Sequence, residues 1–461
     1  MQPDKQFLGN NVKKPRRRSA AGPRLPPDSV LLPLSSGALL VSRNHAVFCR
    51  IPVRDVGAVR RVLTDGRRAA HLRPALRQDL VRHGVFGPPR RAKPDVPTVQ
   101  LQVANACNLD CSYCCTNSGP RRAREVTLAA LRNVIRQIPA ALGPATEVAL
   151  LGGEPLLVPW VPELASEILD LGLGLTLFSN GLPLVDEDLA RRIAALMQRG
   201  AKVRSSLAGP SAAACDRVSG QPRFEPALQA VRQLARFGQL PSLDLMLIPQ
   251  HVDDIVRELP GLRQRLPAGT PLSLGVLYRG GRESGAHLFR SRVELEAALD
   301  RVAFETGELI PAARPSPVMD RREACSCALG RHVHVRSDGA LFHCFRMEEQ
   351  IGDLSAGGFL AAVKAGLAHP GRAVTLPTCR RCPLATLCGA GCRSENLLYT
   401  GDADQPPCGP WRIRVVSELL AEDRVAAVEW PVTYLLEEAR ARGLEPPDLT
   451  PQRMSRHLSD T

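Results

Sequence analysis

The chain has 461 residues, of which 44% are apolar and 23% charged, a composition typical of a globular protein with two or three domains. Lys and Arg total 60 against 46 Asp and Glu, and the net charge of +14 favours a polyanion or an acidic peptide as partner, although a genome that prefers arginine would give the same excess. No run of about 18 apolar residues occurs and no signal peptide is visible, so we expect a cytoplasmic protein without a membrane span.

The first 90 residues divide into a tail and a small unit. Residues 1–29 are predicted to be a disordered basic tail, because "KKPRRR" at 13–18 lies in a Pro-rich stretch without interleaved aromatic residues. Residues 30–90 contain three strand-like runs followed by two helical patterns, and Leu76, Leu80, Val81 and Val85 have the spacing of one helix face. The four prolines of 87–97 predict a linker.

Residues 98–310 alternate between strand and helix patterns in six units. One helix pattern has Leu128, Leu131, Ile135 and Ile138 on one face and Thr127 as N-cap. Repeated βα units imply a parallel sheet with helices outside, and six of them predict an α/β partial (β/α)6 barrel whose active site lies at the carboxyl ends of the strands. Residues 320–410 form a cysteine-rich domain, and 411–461 return to helical patterns.

The stretch "ACNLDCSYCCTN" (106–117) follows the first strand of these units. In a cytosolic protein the 14 cysteines are better explained by metal than by disulfides. Three thiolates, Cys107, Cys111 and Cys114, can bind three irons of a 4Fe–4S cluster and leave the fourth iron open, which marks a catalytic site. Cys115 is adjacent to Cys114, so we expect it to point elsewhere and not to bind. A zinc site completed by a distant ligand and unmetallated buried thiols remain the alternatives.

The spacing of Cys107, Cys111, Tyr113 and Cys114 resembles the radical S-adenosylmethionine enzymes, whose signature is C-x3-C-x-aromatic-C on the loop after the first barrel strand. In that family the amine and carboxylate of the cofactor's methionine chelate the open iron, and the aromatic residue lies beside the adenine. The resemblance also implies further cofactor-binding residues, namely Gly152, Gly153 and Glu154 for the methionine ammonium, Ser179 and Asn180 at a polar strand end, Ser206, and Arg217 for the methionine carboxylate. An Asp common in related enzymes is replaced by Ala208.

The later cysteines resemble the SPASM extension of these enzymes, in the order C-x(9–15)-G-x4-C, gap, C-x2-C-x5-C-x3-C, gap, C. The resemblance implies two auxiliary 4Fe–4S clusters beside the one that binds S-adenosylmethionine. The outer one would be held by Cys379, Cys382, Cys388 and Cys408, and the inner one by Cys344 and Cys392 with Cys325, Cys327 or both. A two-zinc domain is the alternative for these C-x2-C pairs. Cys49 and Cys215 are predicted to be buried or spare thiols.

The chemistry implied by the resemblance is a one-electron reduction of S-adenosylmethionine. The S–C5′ bond breaks, and the 5′-deoxyadenosyl radical removes hydrogen from an unactivated carbon. This step needs the low end of the roughly −700 to +450 mV range of iron–sulfur potentials, which implies a low-potential donor of flavodoxin or ferredoxin type. No residue is predicted to act as general base or acceptor.

The predicted substrate is a ribosomally made precursor peptide that the enzyme matures by crosslinking. Residues 30–90 are similar in pattern to the small, winged-helix-like leader-recognition domains of peptide maturases, which bind a peptide by adding a strand to a sheet edge. A structural cap on the barrel is the alternative for this unit. We expect neither a membrane nor a nucleic acid as partner.

Three other functions remain open. A sulfatase-type formylglycine maturase typically has Asp after the cysteine that is Cys344 here, and Phe345 counts against it. A small-molecule dehydrogenase or cofactor-biosynthesis enzyme would share the same cysteines. A zinc-stabilised basic protein that binds nucleic acid would contain zinc without iron or sulfide.

Overall fold

The computed structural model describes residues 22–34, 37–42, 45, 47–66, 68–88, 97–120, 125–307, 332–354, 357–368, 376–380, 382 and 384–409. The predicted tail before residue 22, the two cysteines Cys325 and Cys327, and the predicted helices of 411–461 lie outside these residues. No helix among the described residues is long and apolar enough to cross a membrane.

The N-terminal module consists of three strands and two helices. The strands β1 (Ser29–Leu34), β2 (Gly37–Ser42) and β3 (Val47–Pro52) form an antiparallel sheet in chain order. The helices α1 (Val53–Thr64) and α2 (Pro74–Arg82) follow the three strands. The expected helix face is wrong at Val81, which is 64% exposed while Leu76 and Leu80 are buried. One residue step turns a helix by about 100°, which takes Val81 off the buried face.

Both faces of the N-terminal sheet are buried. Successive side chains of a strand point to opposite faces, and those of β2 alternate between two cores. Ala38 and Leu40 pack with α1 and α2. Leu39 and Val41 pack against a cysteine-rich segment that includes Cys379. The module therefore covers the C-terminal cysteine segment, which explains why β2 reads as a continuous apolar run.

A nine-stranded sheet forms the centre of the molecule, with the strand order β12-β11-β10-β4-β5-β6-β7-β8-β9. Its six successive parallel strands are β4 (Thr98–Gln102), β5 (Glu147–Leu151), β6 (Gly174–Ser179), β7 (Lys202–Leu207), β8 (Ser242–Leu247) and β9 (Leu272–Val276). The helices that connect or follow them are α3 (Leu128–Leu142), α4 (Val161–Asp170), α5 (Glu187–Gln198), α6 (Ala212–Ser219), α7 (Phe224–Arg236), α8 (Val252–Arg265) and α9 (Arg292–Thr306). The six predicted strand–helix units are thus present.

The α3 helix agrees closely with its sequence pattern. The Thr127 hydroxyl accepts a hydrogen bond from the Ala130 amide at 3.2 Å, which satisfies one of the unpaired amides at the helix start. Leu131, Ile135 and Ile138 are buried in the core between this helix and the sheet. The helix is therefore fixed to the sheet by the same residues that its spacing indicated.

The C-terminal cysteine segment shares the central sheet. After α9, the strands β10 (His332–Val335), β11 (Ala340–Phe342) and β12 (Gln350–Asp353) extend it, and β10 pairs with β4 in parallel. The helices α10 (Gly358–Ala368), α11 (Ala385–Cys388) and α12 (Arg393–Thr400) follow. The predicted boundary near residue 320 is therefore not a boundary of the sheet, and β4, which leads to the first cysteines, has a neighbour on each side.

Candidate active site

The cysteine loop (residues 103–120) leaves the carboxyl end of β4 and is held from several sides. The Cys107 amide donates to the Gly119 carbonyl at 2.9 Å, which folds the loop back on itself. The Arg282 Nε donates to the Cys111 carbonyl at 2.9 Å, and its amide donates to the Cys114 carbonyl at the same distance. Backbone contacts to segments distant in sequence therefore fix the three cysteines.

Hydrogen-bond donors surround two of the sulfurs. The Leu109 amide lies 3.4 Å from the Cys107 Sγ, and the Ser118 amide lies 3.3 Å from the Cys114 Sγ. The Thr116 hydroxyl is a third neighbour, 3.4 Å from the Cys114 Sγ. Donors of this kind stabilise thiolates and tune an iron–sulfur site. Burial raises the pKa of Cys107 to about 11, so its deprotonation needs a bound metal.

A cavity of about 240 Å³, called the first cavity, lies beside the loop. The predicted residues that line it are Cys107, Cys111, Tyr113, Cys114, Gly152, Gly153, Ser179, Asn180 and Ser206. They come from the ends of four neighbouring strands, as expected for the carboxyl edge of a parallel sheet. Glu154 and Arg217 do not line it.

The two glycines are required by the approach of the cysteine loop. A Cβ on Gly153 would lie 2.2 Å from the Ala106 carbonyl oxygen, and one on Gly152 would lie 2.5 Å from that of Ala104. The Gly153 amide also donates to the Ala104 carbonyl at 2.8 Å. We predicted that these glycines allow a ligand to approach closely. On the side where a Cβ would lie, however, it is the backbone of the cysteine loop that approaches both glycines. It holds the end of β5 against the cysteine loop.

Glu154 is fully buried and its carboxylate is occupied within the protein. Its Oε1 accepts from the Ser179 hydroxyl at 2.9 Å and from the Leu156 amide at 3.0 Å, and its Oε2 accepts from the Asn180 amide at 2.7 Å. Burial raises its pKa to about 7, against the lowering effect of these hydrogen bonds. The Glu154 carboxylate therefore ties β5 to β6, and the contact of the Gly-Gly-Glu element with the methionine ammonium stays a prediction.

Arg223 is a cavity residue that the sequence reasoning missed. It is 1% exposed, lines the first cavity, and donates to the Ser206 carbonyl and, at 3.4 Å, to the Tyr113 hydroxyl. Among the residues that the structure describes, its Nε has no hydrogen-bond partner. The Asp216 carboxylate accepts from the Arg223 amide at 2.8 Å and so places the residue at the start of α7. A buried cation with an unpaired N–H suits an anionic group of a ligand.

Arg217, predicted to pair with a carboxylate, lies elsewhere. Its side chain is exposed on α6 and does not reach the first cavity. On that short helix the buried positions are taken by Cys215 and Val218, which turns the position between them outward. Of the other two arginines of the cavity, Arg204 is paired with Asp244 at 2.8 Å. Arg282 is paired with Asp110 at 3.2 Å and has an Nη2 without a partner among the described residues, but it is only half-buried, whereas Arg223 is fully buried. Arg223 therefore replaces Arg217 as the candidate.

The three thiols of the cysteine loop are near neighbours. Cys111 and Cys114 are near enough to Cys107 to raise its pKa further. Three thiolates that each bind one iron fit a 4Fe–4S cluster with an open fourth iron. The buried Cys49 and Cys215 lie apart from this loop as free thiols.

The structure brings the later cysteines together in two places. Cys379, Cys382 and Cys388 pack in one apolar cluster against the N-terminal sheet. Cys344 and Cys392 interact with each other electrostatically. Cys408, the fourth cysteine of the predicted outer set, is buried. The other three cysteines of that set are the ones that pack against the N-terminal sheet.

A second cavity, of about 390 Å³, lies on the other side of the cysteine loop. It is lined by Gln102, Cys115, Thr116, Tyr278, Arg279, Gly280, Gly281, His334, Arg336, Phe342, Phe345, Arg346, Met347 and Glu348. Cys115 also lines the first cavity, so the thiol that we predicted not to bind metal lies where the two cavities meet. Gly281, with φ of +56° and its Cβ position 2.4 Å from the Cys114 carbonyl oxygen, allows the wall of the second cavity to lie directly on the loop.

Comparison with known proteins identifies relatives of this arrangement. The Radical SAM superfamily model matches residues 101–259, which include the cysteine loop and most of the first cavity. The GTP 3′,8-cyclase of Chlorobaculum tepidum is 28% identical over 281 residues, 56% of this chain and 80% of that protein. The PqqA peptide cyclase of Xanthomonas euvesicatoria pv. vesicatoria is 25% identical over 324 residues, 66% of this chain and 85% of that protein.

Solved structures resemble the fold over most of the chain. Streptococcus suis SuiB has a TM-score of 0.50 at 12% identity and covers 83% of this chain and 98% of its own. The anSMEcpe structure with bound AdoMet has a TM-score of 0.51 at 14% identity and covers 72% of this chain and 98% of its own. At these identities the likeness supports an α/β fold with a mostly parallel central sheet.

Proposed function

This chain is a radical S-adenosylmethionine enzyme, and on that premise we propose that it matures a ribosomally made precursor peptide by forming a crosslink within it. The observation that carries the proposal is the position of the cysteine loop between two cavities that meet at Cys115. One cavity has the residues for the cofactor, and the other gives a substrate side chain a place beside it. The PqqA peptide cyclases among the relatives support a peptide as substrate.

The first cavity is the proposed cofactor site. Cys107, Cys111 and Cys114 would hold a 4Fe–4S cluster with S-adenosylmethionine on its open iron, which together supply a hydrogen-abstracting radical. Arg223 would pair with the carboxylate of the methionine moiety, since it is the buried cation of this cavity with an unpaired nitrogen. Tyr113 would form the wall beside the adenine.

The protein's own contribution at this site is positioning. Glu154 accepts hydrogen bonds from the Ser179 hydroxyl and the Asn180 backbone amide and so holds the ends of β5 and β6 together beside the loop. The side-chain Nδ2 of Asn180 lies 3.8 Å from the Cys107 Sγ and donates to the Asn108 Oδ1 at 2.7 Å. These contacts hold the half-buried Cys107 in place for a cluster.

The two groups of later cysteines are the proposed ligands of auxiliary clusters. Cys379, Cys382 and Cys388 with Cys408 would hold the outer one, and Cys344 and Cys392 would contribute to the inner one. The further inner ligands, Cys325 and Cys327, lie outside the described residues. These clusters would exchange electrons with the substrate radical, and a low-potential flavodoxin or ferredoxin would reduce the enzyme.

The N-terminal module is the proposed binding site for the leader of the precursor peptide. Its helix α2 contributes Arg77, Val81 and Arg82 to an apolar pocket of about 440 Å³. The pocket combines the exposed Val81 with two cations, which suits a leader that presents apolar and acidic side chains. Leader binding would keep the core of the peptide near the second cavity at an effective concentration of about millimolar for a short linker.

The proposed chemistry is tested by replacing Cys107, Cys111 and Cys114 together with Ala. The reconstituted variant should lose reductive cleavage of S-adenosylmethionine while retaining much of its iron at the auxiliary sites. Cys115→Ala, the matched control, should retain nearly full cleavage. The assignment fails if the triple variant still forms 5′-deoxyadenosine under anaerobic reduction.

The proposed substrate is tested by coexpression with a short open reading frame beside the gene. A loss of two hydrogens per crosslink, seen by mass spectrometry and dependent on Cys107, is the expected result. The GTP 3′,8-cyclase among the relatives favours a small-molecule substrate as the second candidate. Consumption of GTP with no change in any peptide would decide for that candidate.

A further inference from the structure

The second cavity has an aromatic wall and a half-buried cation, Arg346. Tyr278 and Phe345 meet edge to face, with ring centroids 6.2 Å apart. The Arg346 guanidinium lies over the Tyr278 ring, 3.2 Å from its centroid, and 5.0 Å from that of Phe345. Stacking on two rings holds this guanidinium at one position and orientation in the cavity.

The hydrogen-bonding capacity of Arg346 is largely unused. A guanidinium carries five N–H donors and stays charged at any physiological pH. Within the described part of the chain, its Nη1 donates to the Cys392 Sγ at 3.8 Å, and its buried Nε has no partner. A buried N–H without an acceptor is destabilising, so such a group in a cavity wall indicates a missing acceptor.

The other charges at the cavity do not supply that acceptor. Arg336 is paired with Asp338 at 2.6 Å, and Arg279 is exposed. The only acid in the lining is Glu348, which is exposed at the rim. With Arg336 paired, Arg279 and Arg346 stand against Glu348, so the lining keeps a positive charge that favours an anionic acceptor.

The shape of the site favours a carboxylate on a peptide over a polyphosphate. One stacked guanidinium matches the two oxygens of one carboxylate. A triphosphate presents several charged oxygens and needs further buried donors, whereas the remaining walls include Phe342, Met347 and His334. Burial lowers the pKa of His334 to about 4, so this side chain adds no positive charge at neutral pH.

We propose that the second cavity binds an Asp or Glu side chain of the substrate peptide, with Arg346 as the residue that holds its carboxylate. This inference rests on the proposed function, because it assigns the specificity of the same active site. It places the anchored residue beside Cys115, so that the carbon to be attacked lies on that residue or on a close neighbour in the peptide. The net charge of +14 fits an acidic substrate of this kind.

The test is an equilibrium titration without a reductant, so that no turnover occurs and cofactor cleavage is not needed. The protein is loaded with iron, sulfide and S-adenosylmethionine, and binding is followed by saturation-transfer NMR. The probes are acetyl-Ala-Glu-Phe-Ala-amide and its Gln counterpart, with glutarate as a free dicarboxylate and GTP as a polyphosphate. We expect the Glu peptide to bind at least about tenfold more tightly than the Gln peptide, the difference typical of a charged hydrogen bond.

The variants locate the carboxylate. Arg346→Gln should reduce the preference for Glu to less than about twofold. Arg290→Gln is the matched control, because it removes the same charge from an exposed side chain that lines neither cavity, and it should retain the full preference. If Arg346→Gln loses iron, Arg346→Lys replaces it and should retain a reduced preference, since a lysine keeps the charge without the planar fork.

Each other outcome overturns the inference. If the Glu and Gln peptides bind equally tightly, or if neither binds, the cavity does not recognise a carboxylate. Arg346 is then only a partner of the auxiliary cysteines. If glutarate binds as tightly as the Glu peptide, the cavity recognises a free carboxylate and not one that belongs to a peptide. Tight, Arg346-dependent binding of GTP assigns the site to polyphosphates. If the wild type binds neither peptide while a separate assay with reductant still yields 5′-deoxyadenosine, this inference is refuted and the radical chemistry is not.

Discussion

Arg217 and Arg223 lie on either side of one turn, and only Arg223 reaches the first cavity. The burial of Arg223 depends on Asp216, which accepts hydrogen bonds from the Arg223 and Phe224 amides and caps α7. At the scale of single residues, the site therefore depends on a local turn that decides which of two cations faces inward.

The two arginines form a matched pair for testing cofactor binding. Arg223→Gln should weaken S-adenosylmethionine binding about tenfold or more, because it removes a charged hydrogen bond worth about 1.5–3 kcal/mol. Arg217→Gln should bind the cofactor as the wild type does. Equilibrium dialysis of cluster-loaded, unreduced protein measures both, and the reverse order of affinities would restore the original assignment to Arg217.

His334 predicts a pH dependence of stability. Burial lowers its pKa from 6.5 to about 4, with Arg336 adding to the effect, so the folded protein holds this proton less tightly than the unfolded chain does. The contribution of the neutral His334 side chain to the free energy of unfolding is fully present above pH 6.5 and is lost as the pH falls towards 4. Between pH 7.5 and 5.5, wild type should lose roughly 1 kcal/mol of unfolding free energy through this residue.

His334→Gln separates this contribution from the acid sensitivity of the clusters, which both proteins share. Thermal unfolding at pH 7.5 and 5.5 should show the stability gap between wild type and variant narrowing as the pH falls. A gap that stays constant across this range would mean that the folded and unfolded chains hold the His334 proton equally tightly, so that its pKa is not lowered by folding.

At the scale of elements, the sequence reasoning found what short-range spacing determines. Cys107, Cys111 and Cys114 lie on one loop, so their spacing alone places them together, and the cap at Thr127 is equally local. The pairing of β10 with β4 joins residues more than 230 positions apart, and a four-residue strand carries no signal for its partner. Arg223 was missed for a related reason, since nothing in the sequence distinguishes the arginine that is buried at the cavity from the other 59 basic residues.

The β2 strand gives a prediction at this scale, because its neighbours Leu39 and Leu40 are equally buried on opposite faces. Replacement of either leucine with Ala should lower the free energy of unfolding by about 2–5 kcal/mol, because it leaves a cavity in a core. Only Leu39→Ala opens the side that packs on Cys379 and Cys382. It should therefore speed the loss of iron to a chelator, while Leu40→Ala should leave that rate unchanged. If the two variants lose iron to the chelator at the same rate, the packing of β2 does not protect the proposed outer cluster.

At the scale of the whole molecule, the N-terminal module covers the cysteine-rich segment, so the structural alternative to leader binding is a cover on that segment rather than a cap on the barrel. Deleting 1–90 removes no residue that lines the first or second cavity. Cleavage of S-adenosylmethionine per intact radical site should therefore survive. Iron at the outer site should fall, because the deletion exposes the apolar surface around Leu376 and Leu384. Full iron content after the deletion would contradict this packing role.

Val81→Asp distinguishes leader binding from packing in the same module. Val81 is exposed and lies in the α2 pocket, so the change should leave both cores and the iron content intact. Peptide modification should fall and should recover when the peptide is fused to the enzyme. Unchanged modification by this variant would leave the module a packing element alone.

The alternation of β2 between two cores has a consequence for the order of assembly. One strand is a shared wall of the proposed leader-binding module and of the outer cysteine group. The α2 pocket contains no β2 residue, so a coupling between the leader and the outer cysteines would pass through the core that joins β2 to α2. If metal at the outer site tightens peptide binding by some factor, the peptide tightens metal binding by the same factor. An enzyme starved of iron would then hold its precursor weakly, so an incomplete catalyst would not sequester the peptide it cannot process.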